Sequence, residues 1–283
     1  MTGAPVDLTI IIVNYNSRKD LERCLQSIEE AGLSCPHEIV VVDNASHDGS
    51  QSSVRDAYRK VRLLASSTNL GFGRAVNEAF RQTVGAYVLV LNPDIVVRPD
   101  SIERLHRYMA SHQDVALCAP KLLNEDGTLQ YSCRTDYSLG VYLFRRTPLG
   151  MWLPDHRIIS DHLMATWDHA TPRDVDWVLG AAFMLRRSAF QDSFVMDERF
   201  FLYFEDVDLC LRLRRAGWRV VYNPESVMVH AHQRASAGGL LSRAKVEHLK
   251  SWLKFEWKHR VAGRLGGPPD QGIVRYGGAE SHA

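Results

Sequence analysis

The chain is 283 residues long, 45% hydrophobic and 24% charged, with 34 basic against 33 acidic side chains. That is the composition of an ordinary folded protein of about two ~150-residue domains, and it excludes collagen-like, disordered and disulfide-scaffold classes. A net charge of +1 gives no overall pull toward nucleic acid, but residues 241–264 hold seven cations against Glu247 and Glu256, a local +5 on a body of −4.

Five cysteines, an odd number with no C-x-x-C pair, argue against zinc ribbons and dithiol chemistry and for a reducing cytoplasm. Cys24 and Cys210 fall inside apolar helical patterns, where a thiol acts as a small hydrophobe. The N-terminus shows no signal-peptide pattern, and no run reaches the ~18 apolar residues a spanning helix needs. A soluble or peripheral protein is expected.

Leu8–Val13 is an unbroken β-branched run, the signature of a strand buried on both faces. Ser17 stands three residues before Asp20 as in a capping box, and Leu21, Cys24, Leu25 and Ile28 then recur with helical spacing. Glu38–Asp43 predicts a second strand ending at Asn44, followed by a helix over 50–60, a strand over 61–65 and a helix over 73–83. Tyr87–Leu91 predicts a strand that stops at Asn92-Pro93-Asp94. Pro99 opens a helix with Ile102, Leu105 and Met109 inward, and Val115–Ala119 is a short strand. This alternation implies a mostly parallel, doubly wound sheet, whose ligands bind beyond the carboxyl ends of the strands. Those ends carry Asn14 and Asn16, Asp43 and Asn44, and Asn92 and Asp94, a polar rim.

The second half is less regular. Residues 121–132 predict a hairpin around Glu125-Asp126-Gly127, and 137–172 a long variable loop. Asp176–Leu185 is apolar around Gly180-Ala181-Ala182, where small residues allow a close approach to the backbone. A helix begins near Glu205, strands cover 219–222 and 227–230, and the Gly-Pro-rich 266–283 predicts a disordered tail.

Several constellations have both a chemical and a merely structural reading. Asn92-Pro93-Asp94 is a good strand-ending turn, and Asp94 is also the hard-oxygen ligand that suits Mg²⁺ or Mn²⁺ beside a diphosphate. Glu205, Asp206 and Asp208 complement a helix dipole, but the aromatic run Phe200–Phe204 before them would desolvate a carboxylate toward the range of a general base. His230 and His232 share one face of a strand end, as surface residues or metal ligands. Gly71-Phe72-Gly73-Arg74 opens a helix able to face phosphate; as a dinucleotide fingerprint it lacks the third glycine, because Val76 holds that place.

Taken together, VNYNS (13–17), VVDNASHDGS (41–50), NLGFGRAVNEA (69–79), NPD (92–94), LGAAFMLRR (179–187) and FFLYFEDVDLCLRLRRAGW (200–218) resemble the inverting family 2 glycosyltransferases of GT-A fold. The similarity is to the rhamnosyltransferase-like branch that builds bacterial cell-wall and surface polysaccharides. It implies an α/β fold with a Rossmann-like nucleotide-sugar half (about 7–120) and an acceptor half (about 121–236) within a catalytic domain of residues 1–236. A basic amphipathic helix over 237–265 and the tail would follow.

By resemblance, Asn14, Asn16, Asp43, Asn44 and Asp48 line the donor nucleotide pocket, and Gly71 and Arg74 lie along ribose and diphosphate. Asn92 replaces the first acid of the family's D-x-D, leaving Asp94 to hold the metal with His230. Asp206 is the base, with Glu205 beside it at the catalytic and acceptor positions. Trp177, Gly180 and Ala181 floor the acceptor pocket. The implied reaction passes a sugar, L-rhamnose from dTDP-rhamnose as first choice, to a hydroxyl of a glycan or polyprenyl-linked acceptor. UDP-galactofuranose, UDP-hexoses and GDP-mannose remain alternative donors. A non-catalytic nucleotide-sugar binding protein is the rival of another class, and a nicotinamide oxidoreductase is a third.

Within 243–260, Val246, Leu249, Leu253 and Trp257 fall along one helical face among cations. That pattern suits a terminal helix packed on the body, or one lying on an anionic membrane; Leu139–Arg146 is a weaker candidate. The expected location is cytoplasmic, peripheral at the inner face of the plasma membrane, and a homodimer is allowed.

Overall fold

Leu8–Asn14 forms β1 with every residue buried, which its unbroken run of β-branched side chains requires. The structure, a computed structural model, describes residues 5–146, 156–191, 194–231, 243–262 and 272–277. β1 pairs in parallel with β2 (His37–Asp43) and β4 (Tyr87–Leu91), and β2 with β3 (Arg62–Ala65). Side chains then alternate between two cores. Leu8, Ile10 and Ile12 face α1 (Arg18–Ala31) and α4 (Ser101–Ser111), while Ile11 and Val13 face α3 (Phe72–Arg81) and α7 (Glu205–Arg215). Each such side chain contributes about 1.5–3 kcal/mol by leaving water.

The sheet departs from parallel in its second half. β11 (Ala182–Arg186) inserts antiparallel between β4 and β6 (Val115–Leu123), and β12 (Arg219–His230) runs parallel to β6. β5 (Ile95–Val97) pairs antiparallel with the end of β12, completing the order β3-β2-β1-β4-β11-β6-β12-β5. β7 (Leu129–Gln130) folds back on β6 as the expected hairpin, β8 (Cys133–Arg134) pairs with β10 (Trp177–Val178), and β9 (Arg173–Asp174) pairs with β12. Strands from both expected halves thus share one sheet. The two strands expected over 219–230 are one, with its register against β6 shifted between Asn223 and Val227.

Four expectations are corrected. Ser17 makes no side-chain cap; the Arg18 N–H at the start of α1 donates to Asp48 Oδ2 instead (2.7 Å), because the loop before α2 (Ser50–Ala57) brings a charged acceptor there. Residues 137–172 are not loop throughout, since α5 (Leu139–Arg146) and α6 (Arg157–His162) form there. In α5, Tyr142 is buried and stacks on Trp252, so that helix packs inward. Within the tail, residues 272–277 are anchored rather than disordered. Val274 N–H donates to Ala189 O and Trp218 Nε1 to Val274 O, at 3.0 and 2.6 Å. His232 lies outside the described residues. All five cysteines are free thiols, Cys24 and Cys210 among the buried ones, and burial pushes the Cys210 thiol up to about 12.

α8 (Arg243–Glu256) continues into a π-helical turn over Trp257–Ala262 and packs on the body through His248, Ser251, Phe255 and His259. Ser251 Oγ donates to Leu202 O (2.9 Å), and Phe255 lies against Phe204.

Candidate active site

The parallel register sets Asn14 beside Asp43, and Asn14 Nδ2 donates to Asp43 Oδ2 (2.9 Å). Asp43 Oδ1 accepts from Ser46 N–H and Gln51 Nε2, so both carboxylate oxygens are committed to shaping the loop after β2. Asn16, left-handed at φ 49°, accepts from His47 N–H, and its own N–H donates to Ser46 Oγ. Asp48 accepts from Arg18 N–H and from Ser50, whose hydroxyl and amide help keep its carboxyl below the ordinary range although burial pushes it up. Asn44 Nδ2 donates to Gly71 O. Gly71 has φ 81°, and a Cβ there would stand 2.5 Å from Phe201 O, so only glycine allows the aromatic turn to lie on the start of α3. Arg74 on α3 is largely exposed, 3.8 Å from Glu198.

The β4 end is tied to the opposite half by Asn92 N–H, which donates to Ala181 O (2.8 Å). The adjacent Gly180 N–H donates to Asp206 Oδ2 (2.9 Å), and Val207 N–H donates to Asp206 Oδ1 (2.8 Å). What approaches the small Gly180-Ala181 backbone is therefore the Asp206 carboxylate. This dipeptide is the bridge that brings the 92–94 turn and Asp206 to one cleft. Burial raises the Asp206 carboxyl, while the two amides and the Arg134 charge oppose the rise. The turn that delivers α7 is strained: Tyr203 and Phe204 sit at φ 67° and 69°, at a cost of order 1–3 kcal/mol each.

Glu205 is buried against Gly73 of α3, and its Oε2 has no hydrogen-bond partner. Burial, then the Asp206 and Asp208 charges, raise its carboxyl well above the ordinary range. Of the two neighbouring acids Glu205 is the more deeply buried. Trp177 is also buried; its Nε1 donates to Thr135 O and its ring stacks on Tyr137.

Pairing of β12 with β5 sets His230 opposite Ile95 and beside Asp94, with His230 Nε2 3.3 Å from Asp94 Oδ1. That oxygen is buried and accepts no hydrogen bond. The proton on His230 is assigned by a chain starting at the hairpin turn. Thr128 Oγ1 donates to Asp126, so it accepts from Asn124 Nδ2; Asn124 Oδ1 accepts from Gln130 Nε2, so Gln130 Oε1 faces the imidazole. His230 Nδ1 therefore donates to Gln130 Oε1 (2.7 Å), which leaves Nε2 as the nitrogen facing Asp94. An imidazole nitrogen beside a buried carboxylate oxygen is a donor pair that fits a divalent cation. Among the described residues no group of three or more His, Cys, Asp or Glu could hold a metal, so the remaining ligands would come from substrate phosphate and water.

Local patterning did not mark Gln130, Asn124 or Arg134, and it marked Asp20 only for a capping-box spacing. Asp20 lies within electrostatic reach of Asp94, whose charge adds to burial in raising its carboxyl. Only the β6–β7 hairpin register, the β8–β10 pairing and the close approach of α1 bring these residues in.

The glycosyl transferase family 2 profile matches residues 9–194. The chain is 30% identical over 263 residues to the N-acetylglucosaminyl-diphospho-decaprenol L-rhamnosyltransferase of Mycobacterium tuberculosis H37Rv, covering 89% of this chain and 85% of that protein. It is 29% identical to the rhamnosyltransferase WbbL of Escherichia coli K12, over 66% and 67% of the two chains. Among solved structures, the mannosyltransferase PcManGT of Pyrobaculum calidifontis with GDP-Man and Mn²⁺ superposes with a TM-score of 0.56 at 19% identity, covering 89% of this chain and 67% of that one. S. aureus TarS 1–349 with UDP gives 0.56 at 16%, covering 93% and 76%. The protein is a GT-A-fold glycosyltransferase and belongs to family 2. Within that family it is similar to rhamnosyltransferases.

Proposed function

We propose that the protein transfers L-rhamnose, with inversion, from dTDP-rhamnose to a hydroxyl of a polyprenyl-linked or glycan acceptor in the building of a cell-wall or surface polysaccharide. The observation that carries this is the shared Gly180-Ala181 bridge, which holds Asp206 and the Asp94 turn about one cleft. The relatives' names support the sugar and the lipid-linked acceptor.

Asp206 accepts the proton of the acceptor hydroxyl as that oxygen attacks the anomeric carbon; one displacement inverts the centre and needs no protein nucleophile. The Gly180 and Val207 amides keep its oxygens aimed, and burial keeps it basic enough to take the proton. Asp94 and His230 would hold Mg²⁺ or Mn²⁺, which when bound neutralises the departing diphosphate. Arg74 and the start of α3 lie along that diphosphate, and the Asn14–Asp43–Asn16 loop frames the nucleobase.

Asp206→Asn is expected to lower turnover by about 10²–10⁴ while leaving donor affinity within a fewfold. Retained turnover in this variant would remove Asp206 from the base role. A thermal-shift panel of nucleoside diphosphates with and without Mn²⁺ identifies the donor base, because the bound partner stabilises in proportion to ln(1 + [L]/Kd); dTDP is expected to give the largest shift.

A further inference from the structure

α8 turns an unusual face outward. Val246, Leu249, Leu253 and Trp257 are 40%, 45%, 53% and 59% exposed, and they recur every three or four residues as one continuous stripe. The face that packs on the protein is instead the mixed one, His248, Ser251, Phe255 and His259. A helix stabilised only by docking on its own domain would bury the stripe, so the exposed row calls for a surface of its own.

The stripe continues into a groove of about 770 Å³ lined by Arg199, Phe200, Leu253, Lys254, Glu256 and Trp257. Lys250, Lys254 and Arg260 are exposed beside these apolar side chains, Lys250 paired with Glu247 and Arg260 with Glu256; of the cations in this +5 segment, Lys258 turns inward to Asp197 and Asp208.

We propose that this face lies on an anionic lipid bilayer, with the four apolar side chains among the acyl chains and the lysines at the headgroups. Charge selects this occupant. A second copy docked stripe to stripe would bring two lysine- and arginine-bearing faces together, whereas an anionic surface neutralises them. No described helix is long and apolar enough to cross a membrane, so the contact is interfacial.

The seat of this helix is rigid where it matters for the reaction. Asp208, two residues after Asp206, accepts from His259 Nε2 (2.7 Å) and Lys258 Nζ on one oxygen and from Arg212 Nε (2.7 Å) on the other. Lys258 also reaches Asp197 (2.8 Å). The membrane-facing helix and the helix that carries Asp206 are thus tied together through Asp208, so docking would orient the Asp206 end of the site toward the lipid surface. The docking surface stands whether or not the proposed sugar and acceptor are right.

The test is flotation of the full-length protein with phosphatidylcholine vesicles, alone or containing phosphatidylglycerol, together with Leu249→Glu/Leu253→Glu and Lys250→Glu/Lys254→Glu variants. The wild type is expected to float with the anionic vesicles, and each double variant to lose affinity about tenfold or more. Both variants alter exposed positions, so unchanged thermal unfolding and donor hydrolysis are expected to accompany the loss. Absence of wild-type flotation, or equal flotation of the Leu249→Glu/Leu253→Glu variant, overturns the proposal. So does a wild-type dimer that this variant dissolves without any vesicle binding, which would give the stripe to a second copy. Loss of donor hydrolysis in the wild type with flotation intact would defeat the transfer reaction and leave the membrane surface standing.

Discussion

Gln130 governs which nitrogen of His230 faces Asp94, although it touches neither substrate nor cation. Gln130→Leu is expected to weaken Mn²⁺ binding, read by the loss of free-ion EPR signal, by about 10–100-fold at unchanged thermal stability, the usual effect of removing an outer hydrogen bond to a metal-binding histidine. Affinity within twofold of wild type would show that the tautomer needs no help. The acid pair separates in the same way. Burial, then the Asp206 charge, pushes the Glu205 carboxyl well above its ordinary range, so Glu205→Gln, an uncharged isostere, should retain activity within about tenfold. Asp206 also titrates above the ordinary aspartate value, so the acid limb of the kcat/KM profile is expected above about pH 4, with activity rising as Asp206 loses its proton.

At the scale of elements, the aromatic turn and α3 depend on one glycine. Gly71→Ala places a Cβ against Phe201 O at a left-handed φ and is expected to cost about 1–3 kcal/mol, measured by denaturant unfolding, with loss of activity as the turn shifts. α7 and α8 are joined through Asp208. Asp208→Ala leaves the buried Arg212 guanidinium and the His259 ring without their shared carboxylate, which should cost about 3–5 kcal/mol. The sequence reading anticipated Asp208 as one of three acids complementing a helix dipole. Arg212, four residues on, is a partner helical spacing allows, but Lys258 and His259 lie about fifty residues away, and no local pattern predicts contacts at that distance.

For the molecule as a whole, the same ionic cluster sets an acid limit to stability. Burial pushes Asp197 up, but Arg199 and Lys258 bring it down to about 2, and His259, Arg212 and Lys258 likewise hold Asp208 well below the usual range. Both folded carboxyls thus titrate below their unfolded values near 3.9, so their contribution is whole above pH 4 and is lost as pH falls through the folded values. For Asp197 this amounts to about 2 kcal/mol. Thermal unfolding followed from pH 5 to pH 2 should show a steep fall in Tm that Asp197→Asn makes shallower.

What the chain determined by itself was local or additive. The runs Leu8–Val13 and Tyr87–Leu91 could only be buried strands, the helical stripes named their own inward residues, and the ordered motifs placed the protein in its family. Polar residues at the three strand ends marked one polar rim of the sheet, because a parallel sheet puts those ends together whatever the details. Tertiary structure decided the rest. Three residues of β5 pair with residues more than a hundred positions away to carry His230 to Asp94, and one backbone amide at Gly180 captures Asp206. α8 shows the limit most plainly, since it has apolar side chains on both faces and periodicity cannot say which is buried. Only the fit of Phe255 and His259 against α7 turns Leu249 and Trp257 toward water.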